Sequence, residues 1–342
     1  MKYRVLEELK ENKGRFVSGE YISAGLRVTR TSVWKYIAEL KNEGYKIESS
    51  TRNGYKLVNI PDILNRYEIG HDLNTRVLGR KIYYLESIDS TNTYAKRIAA
   101  TGCEDGTLVV ADMQTAGKGR LGRTWDSKDK KGICMSIVLK PLITPAEVQI
   151  ITLAASVAVV LGLIRTTGIC GGIKWPNDIL LAGKKVCGIL TEMNCEQDRV
   201  NYIVVGIGLN VNHDIEDFQE DLKGRVISLK VYRELSGISN TQFRRSDIIK
   251  GILIEMEKAY NFIRKGETKG IINKWKEHEI IFGKEIRVLS GNNEYTGTAE
   301  DITDDGRLVV KGIGGVMHRL VSGEVSIRDL NGYSWDSIST PE

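Results

Sequence analysis

Apolar positions in the first sixty residues follow helical spacing, broken by short polar turns. Val5, Leu6 and Leu9 make one face of a helix that stops at Lys13-Gly14. Ser18 stands where it caps a second helix carrying Ile22 and Leu26, with Arg27-Val28 as the turn behind it. Thr29 caps a third, on which Val33, Ile37 and Leu40 recur at i, i+4 and i+7 and therefore face inward. Arg30, Thr31 and Lys35 are left facing outward near its N-terminal end, with Ser32 beside them. The period then changes to that of strands. Tyr45-Lys46-Ile47 and Tyr55-Lys56-Leu57 join through Asn53-Gly54, a strong hairpin pair, with Arg52 at the tip. Three helices followed by a hairpin is the order of a winged helix-turn-helix.

Ile60-Pro61-Asp62 forms a natural boundary after a first domain of residues 1–60. From 63 to 280 apolar strands such as Thr107–Ala111, Ile133–Leu139, Val186–Thr191 and Tyr202–Val205 alternate with helical patterns, which predicts a mixed α/β domain with a large sheet. The uncharged run Val148–Ile164 is interrupted by Gln149, Thr152, Ser156 and Gly162; it reads as a helix buried against that sheet and too short for a membrane span. Residues 281–330 hold five closely spaced short strands, the pattern of a small β-barrel, and residues 331–342 read as a loose tail. The expected fold class is α+β and multidomain.

Charge sharpens this division. Residues 1–60 hold 12 Lys/Arg against 7 Asp/Glu, whereas residues 61–342 hold 37 of each, so the whole excess of +5 lies in the first domain. A local basic excess favours a polyanion partner, and the outward residues cluster where a recognition helix meets base edges. DNA binding is the favoured reading over a small interaction domain with a solvated basic helix. Arg52 is placed to reach phosphate or the minor groove. The cysteines, 103, 134, 170, 187 and 195, form no C-x-x-C pair, and the four histidines lack metal-ligand spacing. Reduced thiols acting mainly as small buried residues are expected, with no metal site. No export signal opens the sequence, so a cytoplasmic, non-membrane protein is expected.

Gly117-Lys118-Gly119-Arg120-Leu121-Gly122 matches G-x-G-x-x-G, but the residues after it have no helical period, which rejects the dinucleotide reading. What remains is a loop rich in glycine and cations, suited to fold over a phosphate or carboxylate. A second cluster is Lys174-Trp175-Pro176-Asn177-Asp178, with Lys184-Lys185 before a strand. A third is Gly206-Ile207-Gly208-Leu209-Asn210, where glycines permit close backbone approach and Asn210 offers an amide. Asp89-Ser90-Thr91-Asn92 reads as a helix cap. Taken singly, each has an equally good structural explanation.

Taken together, in order and spacing, these segments resemble the biotin protein ligase family. The stretches that carry the resemblance are Asp89–Asn92, Gln114–Trp125, Lys174–Asp178, Lys185-Val186-Cys187-Gly188, Gly206–Asn210 and the closing Glu324-Val325-Ser326-Ile327-Arg328. Ser18–Glu20, Thr31–Lys35 and Gly54–Leu57 are similar to the DNA-binding domain of the repressor type within that family. Lys118 departs from the pattern, since the best-known members have arginine there; charge is kept and bidentate geometry lost.

The resemblance implies an SH3-like C-terminal barrel and a two-step reaction. Biotin and ATP, with Mg²⁺, give biotinyl-AMP, and a lysine of a biotin carboxyl carrier protein then takes the biotinyl group. It further implies operator DNA as a partner and a homodimer when the adenylate is bound. By resemblance, Lys185 and Arg120 are the catalytic cations, with Lys185 between the carboxylate and the α-phosphate. Ser90, Thr91 and Gln114 would bind the polar end of biotin, Gly117, Lys118, Gly119 and Arg120 would close over valerate and phosphate, and Trp125 would cover the adenylate. Asp178 and Asn210 would orient the acceptor amine or the ligand, and Asn92, Lys174, Asn177, Gly188 and Arg328 complete the binding set. A nucleophile that belongs to the substrate agrees with a site rich in Lys and Arg and without a Ser/His/Asp triad. The rivals are lipoate ligation on a related fold and a regulator that senses biotin without turnover. The Lys174–Asp178 cluster and the first domain argue against the former; Lys185 and Arg120 argue against the latter.

Overall fold

The computed structural model describes residues 1–127, 129–238, 242–290, 293–322 and 325–329; Glu324 and the expected tail lie outside the described residues. The chain divides into two compact units, Met1–Glu68 and Ile69–Glu342.

The first unit begins with three helices, α1 (Lys2–Glu11), α2 (Gly19–Leu26) and α3 (Arg30–Asn42). Local capping sets their starts. The Ser18 hydroxyl accepts from the Tyr21 amide at 3.0 Å, and the Thr29 hydroxyl accepts from the Ser32 amide at 3.1 Å. Arg27 takes the left-handed conformation that turns the chain between α2 and α3. Val5, Leu6, Ile22, Val33, Ile37 and Leu40 meet in one core. The strands β1 (Lys46–Ser50) and β2 (Gly54–Asn59) pair antiparallel with Ser50 opposite Gly54. Arg30, Thr31, Lys35 and Arg52 are exposed and Ser32 is partly so. Past Pro61, Ile63 and Tyr67 still pack on this core, and buried Glu68 receives the Tyr45 hydroxyl at 2.8 Å and pairs with Lys10 at 2.9 Å. Glu68 lies on the short helix α4 (Arg66–Gly70).

The second unit runs β3 (Ile82–Ile88), α5 (Thr91–Ala100), β4 (Leu108–Gln114), β5 (Ile133–Leu139), α6 (Val148–Thr167), β6 (Gly172–Lys174), β7 (Asp178–Leu181), β8 (Lys184–Glu196) and β9 (Arg199–Leu209). The helices α7 (Leu229–Leu235), α8 (Arg245–Arg264) and α9 (Lys269–His278) follow. The seven strands form one sheet in the order β3-β4-β5-β9-β8-β7-β6, with β3–β4 parallel and the other neighbours antiparallel. Side chains alternate across it. Val109, Val138 and Val204 point to α5, where Ala95 and Ala99 cover them. Val205 points the other way, level with Thr191, whose hydroxyl accepts from Thr152 of α6 at 2.8 Å. The sheet is therefore covered on both faces.

The helix α6 corrects one expectation from the sequence. Together with the turn before it, Pro145–Thr167 is long and apolar enough to cross a membrane. In this fold the helix is buried along most of its length, and it packs chiefly on α8 and α9. A helix apolar all round is also what a core helix requires. The closing strands β10 (Glu285–Ser290), β11 (Asn293–Ile302), β12 (Leu308–Gly312), β13 (Met317–Leu320) and β14 (Val325–Asp329) form an antiparallel sheet in the order β13-β12-β11-β10-β14. The Trp175 indole nitrogen donates to the Gly306 carbonyl at 3.1 Å, tying this sheet to the segment after β6. All five cysteines are free. Cys134 and Cys187 fill the buried role expected, and burial pushes the Cys134 thiol up to about 11; Cys170 and Cys195 are exposed instead.

Candidate active site

The face of the sheet that carries α5 also carries the site. Ser136, Leu190 and Gly206 lie level on β5, β8 and β9, with Gly188 opposite Gly208 one step along. Above them sits the N-terminus of α5, capped by Ser90. Gln114 Oε1 accepts from the Thr91 amide at 2.8 Å and lies 3.1 Å from the Thr91 hydroxyl. Ser136 Oγ is 2.8 Å from Thr91 Oγ1 and 2.6 Å from Asn92 Oδ1. The Asn92 amide donates to Glu192 at 2.8 Å, and Lys96 reaches the same carboxylate at 2.6 Å. Burial opposes the charge on Glu192, but Lys96 and Asn92 more than offset it and hold its pKa below the usual value. This network gives a cavity one polar end, built by Ser90, Thr91, Asn92 and Gln114, and apolar walls from Met135, Ile189, Leu190 and Ile207.

Two glycines on β9 have identifiable neighbours. A Cβ on Gly206 would come within 2.1 Å of Asn92 Oδ1, and one on Gly208 within 2.4 Å of Trp125 Cε2. The close approach expected at this segment is thus made by the protein's own Asn92 and Trp125. The glycine-cation loop folds back as a hairpin. Lys118 bridges to Thr124 and Gln114 to Ser127, while the Trp125 amide donates to the Gly117 carbonyl at 2.9 Å. Its turn is a short 3-10 segment at Arg120–Gly122, with no α-helix following, in keeping with rejection of the dinucleotide motif.

From this hairpin Arg120 reaches Asn177 Oδ1 at 2.9 Å and also the Ser322 carbonyl between β13 and β14. Asn177 in turn donates to the Ile189 carbonyl at 2.9 Å, so it fixes Arg120 relative to β8. Lys185 Nζ lies 2.7 Å from Asp178 Oδ1 and 5.6 Å from the centre of the Trp125 ring. A second cavity adjoins the first at Lys185 and Trp125. Among the described residues, Arg123, Lys174, Lys185, Arg225 and Arg328 line it against Asp126 and Asp178, with Phe218, Leu222 and Val226 as an apolar patch. Asn210 also lines it, its amide donating to the Ile227 carbonyl at 3.2 Å.

Desolvation sets the electrostatics of this end. Burial brings Lys174 down to about 8, with Asp178 only partly opposing, and it lowers Arg120 as well. Asp178 is affected in the opposite sense: burial would raise its pKa, but Lys185, Lys174 and Arg120 outweigh this and keep it ionised. The result is a polar and apolar slot leading into a strongly cationic chamber. Such a pair suits a small organic acid meeting a polyphosphate, with the cations stabilising negative charge where the two react.

The structure brings Ser90, Thr91, Asn92, Gln114, Gly117, Lys118, Gly119, Arg120, Trp125, Lys174, Asn177, Asp178, Lys185, Gly188, Asn210 and Arg328 onto these adjoining cavities and their loop. Sequence reading missed Ser136, Glu192 and Lys96, which orient Asn92 and Thr91 from within an apolar strand and from a helix face. It also missed buried Arg245, which pairs with Asp112 at 2.9 Å and donates to the Gly132 carbonyl at 3.1 Å behind the hairpin loop.

Comparison with known proteins agrees with this chemistry. Residues 84–210 match the model of the biotin/lipoate A/B protein ligase family, residues 2–56 an HTH domain, and residues 281–328 the biotin protein ligase C-terminal domain. The chain is 41% identical to the bifunctional ligase/repressor BirA of Bacillus spizizenii, over 90% of this chain and 93% of that protein. It is 30% identical to the biotin–[acetyl-CoA-carboxylase] ligase of Mycobacterium tuberculosis, over 72% of this chain and 88% of that one. Among solved structures it is similar to the biotin protein ligase of Aquifex aeolicus in complex with biotin and ATP, with a TM-score of 0.61, 28% identity, and 73% of this chain covering 99% of that one. The chain belongs to the biotin protein ligase family, in its bifunctional ligase/repressor form.

Proposed function

We propose that this protein joins biotin to ATP as biotinyl-AMP, transfers the biotinyl group to a lysine of a biotin carboxyl carrier protein, and represses transcription through residues 1–60. The observation that supports it most is the adjoining pair of cavities, one end-polar and apolar-walled, the other lined by five cations, meeting at Lys185. Biotin lies in the first with its ureido ring at Ser90, Thr91 and Gln114 and its valerate toward Lys118 and Arg120. ATP occupies the second. The biotin carboxylate attacks the α-phosphorus, the bond to the β-phosphate oxygen breaks, and pyrophosphate leaves into the field of Arg123, Lys174 and Arg328. Lys185 stabilises charge on the α-phosphate, and Asp178, 2.7 Å away, keeps its ammonium aimed. Mg²⁺ would accompany ATP and add positive charge at the phosphates, leaning on phosphate and water rather than on a protein cage; among the described residues no group of three or more His, Cys, Asp or Glu could hold a metal. In the second half the carrier lysine attacks the mixed anhydride and AMP leaves, with Asp178 and Asn210 orienting the amine. The DNA-binding domain of residues 1–60 is extended by the segment to Glu68 that packs on its core, the catalytic domain follows to residue 280 and the small barrel domain covers 281–330, in a protein we assign to the cytoplasm.

A direct test is pyrophosphate release from ATP with biotin or lipoate as the acid. Release with biotin alone is expected; release with lipoate alone, or with neither, contradicts the assignment.

Lys174 gives this reaction a pH signature. Its pKa of about 8 lies well below the ordinary 10.5, so it is a cation at neutral pH and loses its proton first as the pH rises. KM for ATP is expected to rise above about pH 8 in the wild type. In Lys174→Arg, which stays charged, the rise should be absent. A wild-type KM that is flat across pH 7–9 would remove Lys174 from phosphate binding.

The hairpin loop is expected to act as a lid. A Cβ on Gly117 would lie 2.3 Å from the Trp125 carbonyl oxygen, so Gly117→Ser must open the hairpin, while Arg120→Gly deletes the charge that bridges to Asn177. Both variants should release biotinyl-AMP faster and label bystander lysines. Dissociation of the intermediate at wild-type rates in both would exclude a lid.

The bound adenylate also favours a homodimer through the central domain. Its support is the outer edge of β8, which pairs with β7 only as far as Gly188 although β8 runs to Glu196. Among the described residues no strand covers that stretch, and an open edge invites pairing.

A further inference from the structure

Trp34 lies on the recognition helix between the residues already assigned to DNA, yet the winged helix does not use it for packing. Its neighbour Val33 is fully buried, whereas Trp34 itself is 65% exposed. No hydrogen bond or ring contact engages the indole among the described residues. Helical spacing puts Trp34 four residues after Arg30, three after Thr31 and next to Lys35, all exposed, so its ring stands at the centre of the cationic face. A large aromatic ring left in water amid cations is poorly suited to a purely electrostatic contact, because phosphate oxygens offer nothing for its apolar surface to cover. The major groove does offer such a surface, the 5-methyl group of thymine.

We propose that Trp34 is a specificity-determining residue, its indole packing against thymine methyl groups in the major groove while Arg30, Thr31 and Lys35 hold phosphates and base edges around it. This rests on the DNA-binding reading above and adds an apolar element that the sequence motif did not assign. The charged residues then supply most of the salt-dependent affinity, and Trp34 supplies sequence choice.

The experiment selects duplexes from a randomised pool with wild-type protein, in biotin and MgATP. It then measures binding to the selected duplex, to the same duplex with deoxyuridine replacing every thymidine, and to mixed-sequence DNA. Wild-type affinity for the selected duplex is expected to fall about tenfold or more on replacement, the scale of one lost base contact. Trp34→Ala should bind both versions alike, at about the weakened level, with unchanged affinity for mixed-sequence DNA and unchanged ligation. The uracil comparison uses the wild type alone, so it stands even where the variant misfolds. Equal wild-type binding to the thymidine and deoxyuridine duplexes overturns the proposal, including the case in which Trp34→Ala weakens both. Failure to select any duplex overturns the DNA-binding reading itself, and this proposal with it.

Discussion

Replacing Lys185 by alanine is expected to lower the rate of biotinyl-AMP formation by about 10²–10³, the usual consequence of deleting one preorganised stabiliser of developing charge. The ammonium lies 2.7 Å from Asp178, and among the described residues Lys185 is the one cation that lines both cavities. Arg120 is committed to Asn177 and the Ser322 carbonyl, and Lys174 is more deeply buried. The fold should survive, because Lys185 is partly exposed and its backbone, which exchanges hydrogen bonds with Arg225 and Ile227, is untouched. Removing the ammonium leaves Asp178 with Lys174 and Arg120 nearby, so some of the carboxylate's ionisation is retained. Near-normal adenylate synthesis by Lys185→Ala, measured in single turnover, would remove the lysine from the chemistry.

The second large effect couples the two functions. One winged helix with a net excess of five cations should bind DNA weakly at physiological salt, so a repressor of this kind needs two units on paired half-sites. Joining two such units raises affinity by about 10²–10⁴ through effective concentration alone. In the proposed coupling, biotinyl-AMP orders residues 117–126 and so lowers the entropic cost of forming the dimer. Sedimentation and DNA titration at fixed salt should therefore show both self-association and binding to a palindromic site tightening with biotin and ATP. Apo-carrier should oppose both, since it consumes the adenylate. Arg30→Ala and Lys35→Ala should abolish operator binding and leave ligation intact. Equal operator affinity with and without ligand, or ligation lost in those variants, would contradict the coupling.

Legibility in the sequence followed the range of the interactions. Caps such as Ser18 and Thr29, and the inward stripe of Val33, Ile37 and Leu40, depend on residues three or four apart, and the structure has each where the pattern indicates. The glycine-cation loop was visible because glycine and cations are concentrated there. Ser136 was hidden because a lone hydroxyl in the apolar strand Ile133–Leu139 has no local signal; its partners lie more than forty residues away. The buried Arg245–Asp112 pair, with Tyr84 donating to the same carboxylate at 2.6 Å, is hidden for the same reason, since its two ions come from α8 and β4. Gly206 and Gly208 were readable as points of close approach, but the identity of what approaches, Asn92 and Trp125, required the sheet register. The extent of α6 is less legible, because Arg165 interrupts the apolar run after Ile164 whereas the helix continues to Thr167; its buried place is the one the apolar run indicates.

These two adjoining cavities are proposed to make and transfer a biotinyl adenylate. Mass spectrometry of an apo biotin carboxyl carrier domain, after incubation with this protein and MgATP, tests it most directly. With biotin, the carrier should gain the mass of one biotinyl group on a single lysine, a gain absent when that lysine is arginine and absent when lipoate replaces biotin. An unmodified carrier with biotin present, or modification by lipoate, would contradict it.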